Sequence, residues 1–222
     1  MKKKEEVVFC IPGKYFSNNF LVSWSRLLLA CGELGIIPHI SNAYDPNIYK
    51  VRNKCLMGDE NLGQNQKPFQ GKIDYDFIMW IDSDMVFEVK DFRNLLETMR
   101  KNKNIHILAG VYLGAKGDYT AGKAIVNQYG KKEVKVFTPS DLDNKSGLIE
   151  VDYSGMGFMM VRKGVFEALS YPWFYPIIVS TPSGVVGFIT EDIGFCLNAK
   201  KKNFATYIDP KIKVGHEKPK II

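Results

Sequence analysis

The stretch MWIDSDMVF, residues 79–87, decides how the chain is read. It continues an apolar run, YDFIMWID at 75–82, of the kind expected for a strand buried on both faces of a parallel sheet. Two carboxylates, Asp82 and Asp84, then interrupt it with one serine between them. Charged side chains are seldom buried without partners. Either the strand ends here and the acids cap a turn, or they hold something in place. Residues i and i+2 of a strand share a face, so the pair is expected to converge at the strand's carboxyl end. Ligands bind at that edge of open α/β sheets. Two convergent carboxylates there suit a hard divalent cation that bridges to a diphosphate.

The flanks supply the rest of such a sheet. VVFCIPG (7–13) reads as a buried first strand, and SNNFLVSWSRLLLACGELG (17–35) as a helix with Phe20, Trp24, Leu27, Leu28 and Cys31 at helical spacing. IIPHISNAY (36–44) reads as a second strand, IYKVRNKCLMG (48–58) as a short amphipathic helix, and the segment through Lys72 as a polar loop. VKDFRNLLETMRKN (89–102) has an acid near its start and bases at its end, matching a helix dipole, and IHILAGVYL (105–113) is a further buried strand. This alternation predicts an α/β fold with a mixed, mostly parallel central sheet flanked by helices.

After residue 114 the character changes. TAGKAIVNQYG (120–130), KKEVKVFTP (131–139) and GLIEVDYSG (147–155) read as shorter strands, and GFMMVRKGVFEAL (157–169) as a strand running into a helix. EDIGFCLNAKKKN (191–203) reads as a helix, ATYID (205–209) as a strand, and PKIKVGHEKPK (210–220) as a tail. With no repeat or low-complexity linker, a single domain over 1–222 is expected. Its nucleotide-type half covers about 1–113 and its variable half about 114–222.

Composition narrows the classes. The chain is 45% hydrophobic with a net charge of +6, and residues 200–220 carry seven lysines against two acids. That bias suits anionic partners or a solvated lysine face. Zinc-finger spacing and RNA-binding aromatic motifs are absent, which argues against nucleic acid. Cys10, Cys31, Cys55 and Cys196 are widely spaced in apolar contexts, as expected of reduced core thiols in a cytoplasmic protein. No apolar run approaches the roughly 18–20 residues of a membrane span, although a basic surface leaves contact with anionic lipid open.

Other residues could join the acid pair. An imidazole from His216 beside two carboxylates would move preference towards Mn²⁺, and Lys218 could neutralise a diphosphate leaving group. In TEDIGFC (190–196), Thr190 can cap a helix whose first turn holds Glu191 and Asp192, or one of these acids can serve as general base. Arg52 is either a solvated helix arginine or a phosphate clamp. The glycines of YSGMGFMMV (153–161), Gly155 among them, permit an ordinary turn or close backbone approach to a ligand. YPWFYP (171–176), with Trp173, offers either packing or faces for a sugar.

The order of FCIPG, VRN, FIMWIDSDMVF, YSGMGFMMVRKGVFEAL, TEDIGFC and VGHEK over residues 7–218 resembles the nucleotide-sugar-dependent glycosyltransferases of the GT-A (Rossmann-like) type. The resemblance implies a metal-dependent transfer of a sugar from a UDP- or GDP-linked donor to a glycan, protein or lipid-linked acceptor. It implies Asp82, Asp84 and His216 around Mn²⁺ or Mg²⁺, with Asp82 also on the donor's ribose. Pro12, Gly13, Arg52 and Lys218 would sit on the nucleotide sugar, and Gly155 and Trp173 on the acceptor. Asp192, beside Glu191, looks like the catalytic base of inverting members. Inversion is favoured over retention, in which Asp192 would bind a sugar instead. The other readings are a sugar nucleotidyltransferase, for which IPGKYFSNN is a poor phosphate loop, and a non-catalytic binding module whose acids are caps.

Overall fold

Residues 4–126, 132–180 and 186–218 are described by the structure, a computed structural model. β1 (Glu5–Pro12) leads into α1 (Asn18–Ala30), β2 (Ile36–Ala43) and α2 (Ile48–Cys55). Two short 3-10 turns precede β3 (Phe77–Ile81), the two-residue β4 (Met85–Val86), α3 (Val89–Lys101) and β5 (Ile107–Val111). Then come β6 (Ala121–Val126), β7 (Lys132–Val136), α4 (Pro139–Leu142), β8 (Ile149–Val151), β9 (Tyr153–Ser154) and β10 (Phe158–Arg162). The chain continues through α5 (Val165–Ala168), β11 (Ile177–Ser180), β12 (Val186–Ile189), α6 (Glu191–Lys201), β13 (Thr206–Lys213) and β14 (Gly215–His216). Parts of three expected segments lie outside the described residues: 127–130 of the first strand after residue 114, residue 131 of the next, and 219–220 of the tail.

Seven strands form the central sheet in the order β2-β1-β3-β10-β5-β13-β8. β2, β1 and β3 run parallel, as do β5 and β13, while β10 and β8 run against their neighbours. The expected class, a mixed and mostly parallel sheet flanked by helices, is the one observed. β3 explains its stability: all five of its residues are buried, and they alternate between the two cores. Ile78 and Trp80 face the layer that holds Phe166, Phe174 and Phe195. Phe77, Met79 and Ile81 face the layer of α1 and α3, with Leu27, Phe92 and Leu96. Each such side chain removed from water contributes about 1.5–3 kcal/mol.

One expectation changes. The tail begins later than residue 210, because β13 continues to Lys213 and β14 follows. β10, β13 and β8, from the second half of the chain, complete the sheet begun by β1, β2, β3 and β5. The four cysteines are free and buried. No helix among the described residues is long and apolar enough to cross a membrane.

Candidate functional site

Strand pairing of β3 stops at Ile81, and Asp82, Ser83 and Asp84 make the turn into β4. The turn is closed by Met85 N–H donating to the Asp82 carbonyl at 3.1 Å. The i, i+2 rule of a strand therefore does not govern the acids, and the turn sends them to different partners. Asp82 receives Arg52 through two parallel bonds, Nη1–Oδ1 at 3.0 Å and Nη2–Oδ2 at 3.2 Å. Asp84 Oδ2 accepts from Lys218 Nζ at 2.8 Å and faces His216 Nε2 at 3.1 Å.

The C-terminal segment reaches this turn by a break in register. β13 follows β5 as far as Ile208, shifts, and resumes at Lys213. β14 then pairs with β4, setting His216 opposite Met85, and Glu217 N–H donates to the Asp84 carbonyl at 2.8 Å. The Glu217 carboxylate accepts from Asn19 Nδ2 at 2.6 Å and from the Ser17 hydroxyl, so it anchors the segment to the start of α1. Ser17 itself caps that helix by accepting from Phe20 N–H at 3.0 Å.

His216 is held in one orientation. Its Nδ1 lies 2.9 Å from the Leu113 carbonyl, and its ring meets Tyr112 edge-on at 5.0 Å. A carbonyl only accepts, so Nδ1 carries a proton. A neutral ring would then point its Nε2 lone pair at the Asp84 carboxylate. A cation between them, either a proton or a metal ion, removes that repulsion. In keeping with this, the hydrogen bond to Asp84 raises the His216 pKa. Burial pushes Asp84 upward, but the His216 and Lys218 hydrogen bonds outweigh it and hold the carboxyl at about 2.

This donor set fits a divalent cation. It offers one carboxylate oxygen and one imidazole nitrogen, and the imidazole's other nitrogen is locked by a backbone carbonyl as in metal-binding histidines. Among the described residues no group of three or more His, Cys, Asp or Glu side chains gathers as a cage. Mg²⁺-type ions commonly take their remaining ligands from phosphate and water.

Arg52 departs from the phosphate-clamp expectation. α2 starts at the Asn47 cap, which accepts from Tyr49 N–H at 3.0 Å, and this start turns Arg52 inward, 2% exposed, with its guanidinium 5.4 Å from the Trp80 ring. Its Nε donates to Glu191 at 3.2 Å, so all three guanidinium nitrogens serve Asp82 and Glu191. Burial works against the Arg52 charge, but the two carboxylates more than offset it and raise its pKa. Glu191 is buried, and burial raises its own pKa. Arg52 thus ties the Asp82 turn to the first turn of α6.

Asp192, next along α6, is half-buried. Its Oδ1 accepts from Ile193 N–H at 2.8 Å and from the Thr190 hydroxyl. Thr190 is the N-cap residue by position but makes no side-chain cap bond; its hydroxyl goes to Asp192 instead. Pro12 is buried at the end of β1. Gly13 follows at φ +153°, and a Cβ there would lie 2.6 Å from both Cβ and Oγ of Ser83. Only glycine lets the loop after β1 close on the acidic turn. A cleft of about 550 Å³ lies between this loop, at Tyr15 and Phe16, and Ser83, Asp84 and Lys218.

The two acceptor expectations are corrected. Trp173 is 1% exposed, with its indole N–H donating to the Phe166 carbonyl at 3.0 Å, so it belongs to the core. Gly155 is buried, and a Cβ there would meet Tyr112 Oη at 2.2 Å; its space is taken by protein. Sequence reasoning missed Glu217, Ser83 and Tyr112. The Tyr112 hydroxyl accepts from Gly157 N–H at 2.9 Å, and the Gly157 carbonyl accepts from Asp82 N–H at 3.0 Å. Adjacency in sequence could have signalled Glu217, beside His216, and Ser83, between the two acids, but not Tyr112.

No protein-family model and no curated protein sequence matches the chain. Solved structures do. The crystal structure of A197 from STIV matches with a TM-score of 0.56 and 16% identity, over 98% of this chain and 96% of that one. The crystal structure of GalNAc-T7 with UDP, GalNAc and Mn²⁺ matches with a TM-score of 0.51 and 10% identity. That match covers 97% of this chain and 44% of the other. These likenesses show the fold. At such identities they assign no activity.

Proposed function

We propose that the chain is a metal-dependent glycosyltransferase, moving a sugar from a nucleotide-diphosphate sugar to an acceptor hydroxyl with inversion. The observation that carries this reading is the Asp84–His216 pair, 3.1 Å apart on the turn after β3, with Lys218 on the same carboxylate oxygen. The bound UDP and Mn²⁺ named for GalNAc-T7, a protein of similar fold, agree with it.

In this reading Asp84 and His216 hold Mn²⁺ or Mg²⁺, and Asp82, fixed by Arg52, contacts the donor's ribose. When bound, the ion supplies positive charge against the diphosphate leaving group. Lys218 adds a second positive charge beside it. The nucleotide lies in the cleft between Gly13, Tyr15 and the acidic turn. The acceptor oxygen attacks the anomeric carbon while the bond from that carbon to the diphosphate breaks, and Asp192 takes the acceptor's proton. Glu191 is a positioning residue that sets the start of α6 through Arg52. The single-domain organisation belongs to the same reading, because both halves of the chain contribute to this one site.

Calorimetric titration of UDP- and GDP-sugars with and without Mn²⁺ tests it. Binding of one donor class that strengthens with Mn²⁺ supports the reading. Affinities identical in both conditions would overturn it. NMR of the product anomer then decides the stereochemistry.

A further inference from the structure

α2 has a second face, turned away from Arg52. Asn47, Tyr49, Lys50 and Lys54 on that face line a cleft of about 750 Å³ whose far wall is the segment 171–176. A second cleft, of about 480 Å³, lies on the other side of the same segment and reaches Asn198, Lys201 and Lys202. Tyr171 and Tyr175 line both. The two clefts therefore meet at a ridge of two tyrosines.

The ridge is built rather than incidental. Asn53, buried on α2, receives Trp173 N–H at 3.0 Å on Oδ1 and donates to the Phe174 carbonyl at 2.7 Å. Trp173 and Phe174 are buried, while Tyr171 is half-buried at the edge of that core and Tyr175 is exposed. Tyr171 packs edge-on against Trp173 at 5.3 Å, and Tyr175 Oη accepts from Asn198 at 3.0 Å while remaining 41% exposed. Opposite them, Gln66 closes the loop 59–66, donating to the Asp59 carbonyl at 2.7 Å and the Gly63 carbonyl at 2.6 Å. That closure presents Asp59, Glu60 and Asn61 to the first cleft.

We infer that this groove binds an oligosaccharide chain, the acceptor of the reaction proposed above, on which the inference rests. Rigid aromatic faces accept the C–H faces of pyranose rings, and the surrounding carboxylates, amides and ammonium groups match a ligand rich in hydroxyls on every edge. A groove continued past the tyrosine ridge suits several linked units better than one. Its inner wall also leads towards the proposed base. Tyr49 lines the first cleft, and its hydroxyl donates at 3.0 Å to the carbonyl of Ile189, which lies just ahead of the α6 start bearing Asp192.

Saturation-transfer NMR on the full chain tests this with maltohexaose, cellohexaose and chitohexaose as probes. At least one is expected to receive saturation, and Tyr175→Ala should weaken its binding at least tenfold. Asn61→Ala should weaken it as well, while UDP binding with Mn²⁺ and the thermal midpoint stay unchanged in both variants. Failure of all three probes to bind overturns the inference, and so does equal binding by wild type and Tyr175→Ala. Retained UDP binding in either case leaves the donor reading standing. Conversely, Tyr175-dependent oligosaccharide binding without any Mn²⁺-dependent UDP binding supports the groove and removes the donor reading.

Discussion

Arg52 and Asp82 meet as a bidentate pair, at 3.0 and 3.2 Å, beneath the turn that carries Asp84. Because Arg52 also holds Glu191 at 3.2 Å, removing it would leave two acids without their partner, one of them buried. Losing one member of a buried ion group costs about 3–5 kcal/mol. Arg52→Met should lower stability by about that amount in urea titration. Arg52→Lys should recover only part, since an ammonium cannot reproduce the fork. Wild-type stability in Arg52→Met would show that the group contributes nothing.

Asp84 and Asp82 should separate in binding experiments. Asp84→Ala removes the oxygen shared by His216 and Lys218, and is expected to weaken Mn²⁺-dependent UDP binding by tenfold or more in calorimetry. Asp82→Asn keeps the shape of the Arg52 contact and should weaken it less. Equal losses would mean that both acids hold the ion directly.

Asp192→Asn should lower turnover by about 10²-fold or more while leaving donor affinity within twofold, as expected of a general base. Full turnover in that variant would remove Asp192 from the base role.

The Asp84–His216 pair predicts a pH dependence in metal-free protein. Asp84 is held at about 2 against an ordinary 3.8, so its contribution is present above 3.8 and lost as pH falls through about 2. The His216 pKa is raised above 6.5, so its contribution is full below 6.5 and is lost as pH rises through the raised value. The pair is strongest between these limits. Solvent screening at this partly exposed site keeps the effect to about 1 kcal/mol or less. Urea midpoints with chelator at pH 5.5 and 8.5 should fall further in wild type than in His216→Asn. Parallel behaviour of the two proteins would argue against the pair.

Gly13→Ala places a methyl group 2.6 Å from Ser83 in a backbone conformation with φ +153°. Overpacking of this kind costs about 1–3 kcal/mol. Ser83→Gly in the same chain should restore part of it, as read from thermal melts. An additive double variant would show that the two residues do not touch.

The sequence carried the site unevenly. β3 and its acids were legible because a strand buried on both faces must be apolar throughout, and charge at its end then stands out. The partners of Arg52 were not. They lie 30 and 139 residues away, joined through sheet topology that no local pattern records. Trp173 misled for a related reason: an aromatic beside prolines looks the same whether its ring faces solvent or its N–H finds the Phe166 carbonyl. The direction of β10 was hidden as well, since FMMVR is apolar enough to be buried in either orientation.

That last strand governs how the protein can be made. β10 is the common neighbour of β3 and β5, yet about fifty residues separate Val111 from Phe158. At roughly 5–20 residues per second of synthesis, the nascent chain carries two open, apolar strand edges for about 2–10 s before the strand that closes them emerges. The centre of the sheet, and with it the turn that bears Asp84, is therefore completed late on the ribosome. A chain truncated between β5 and β10 should be captured by chaperones or aggregate rather than persist as an independent nucleotide-binding unit.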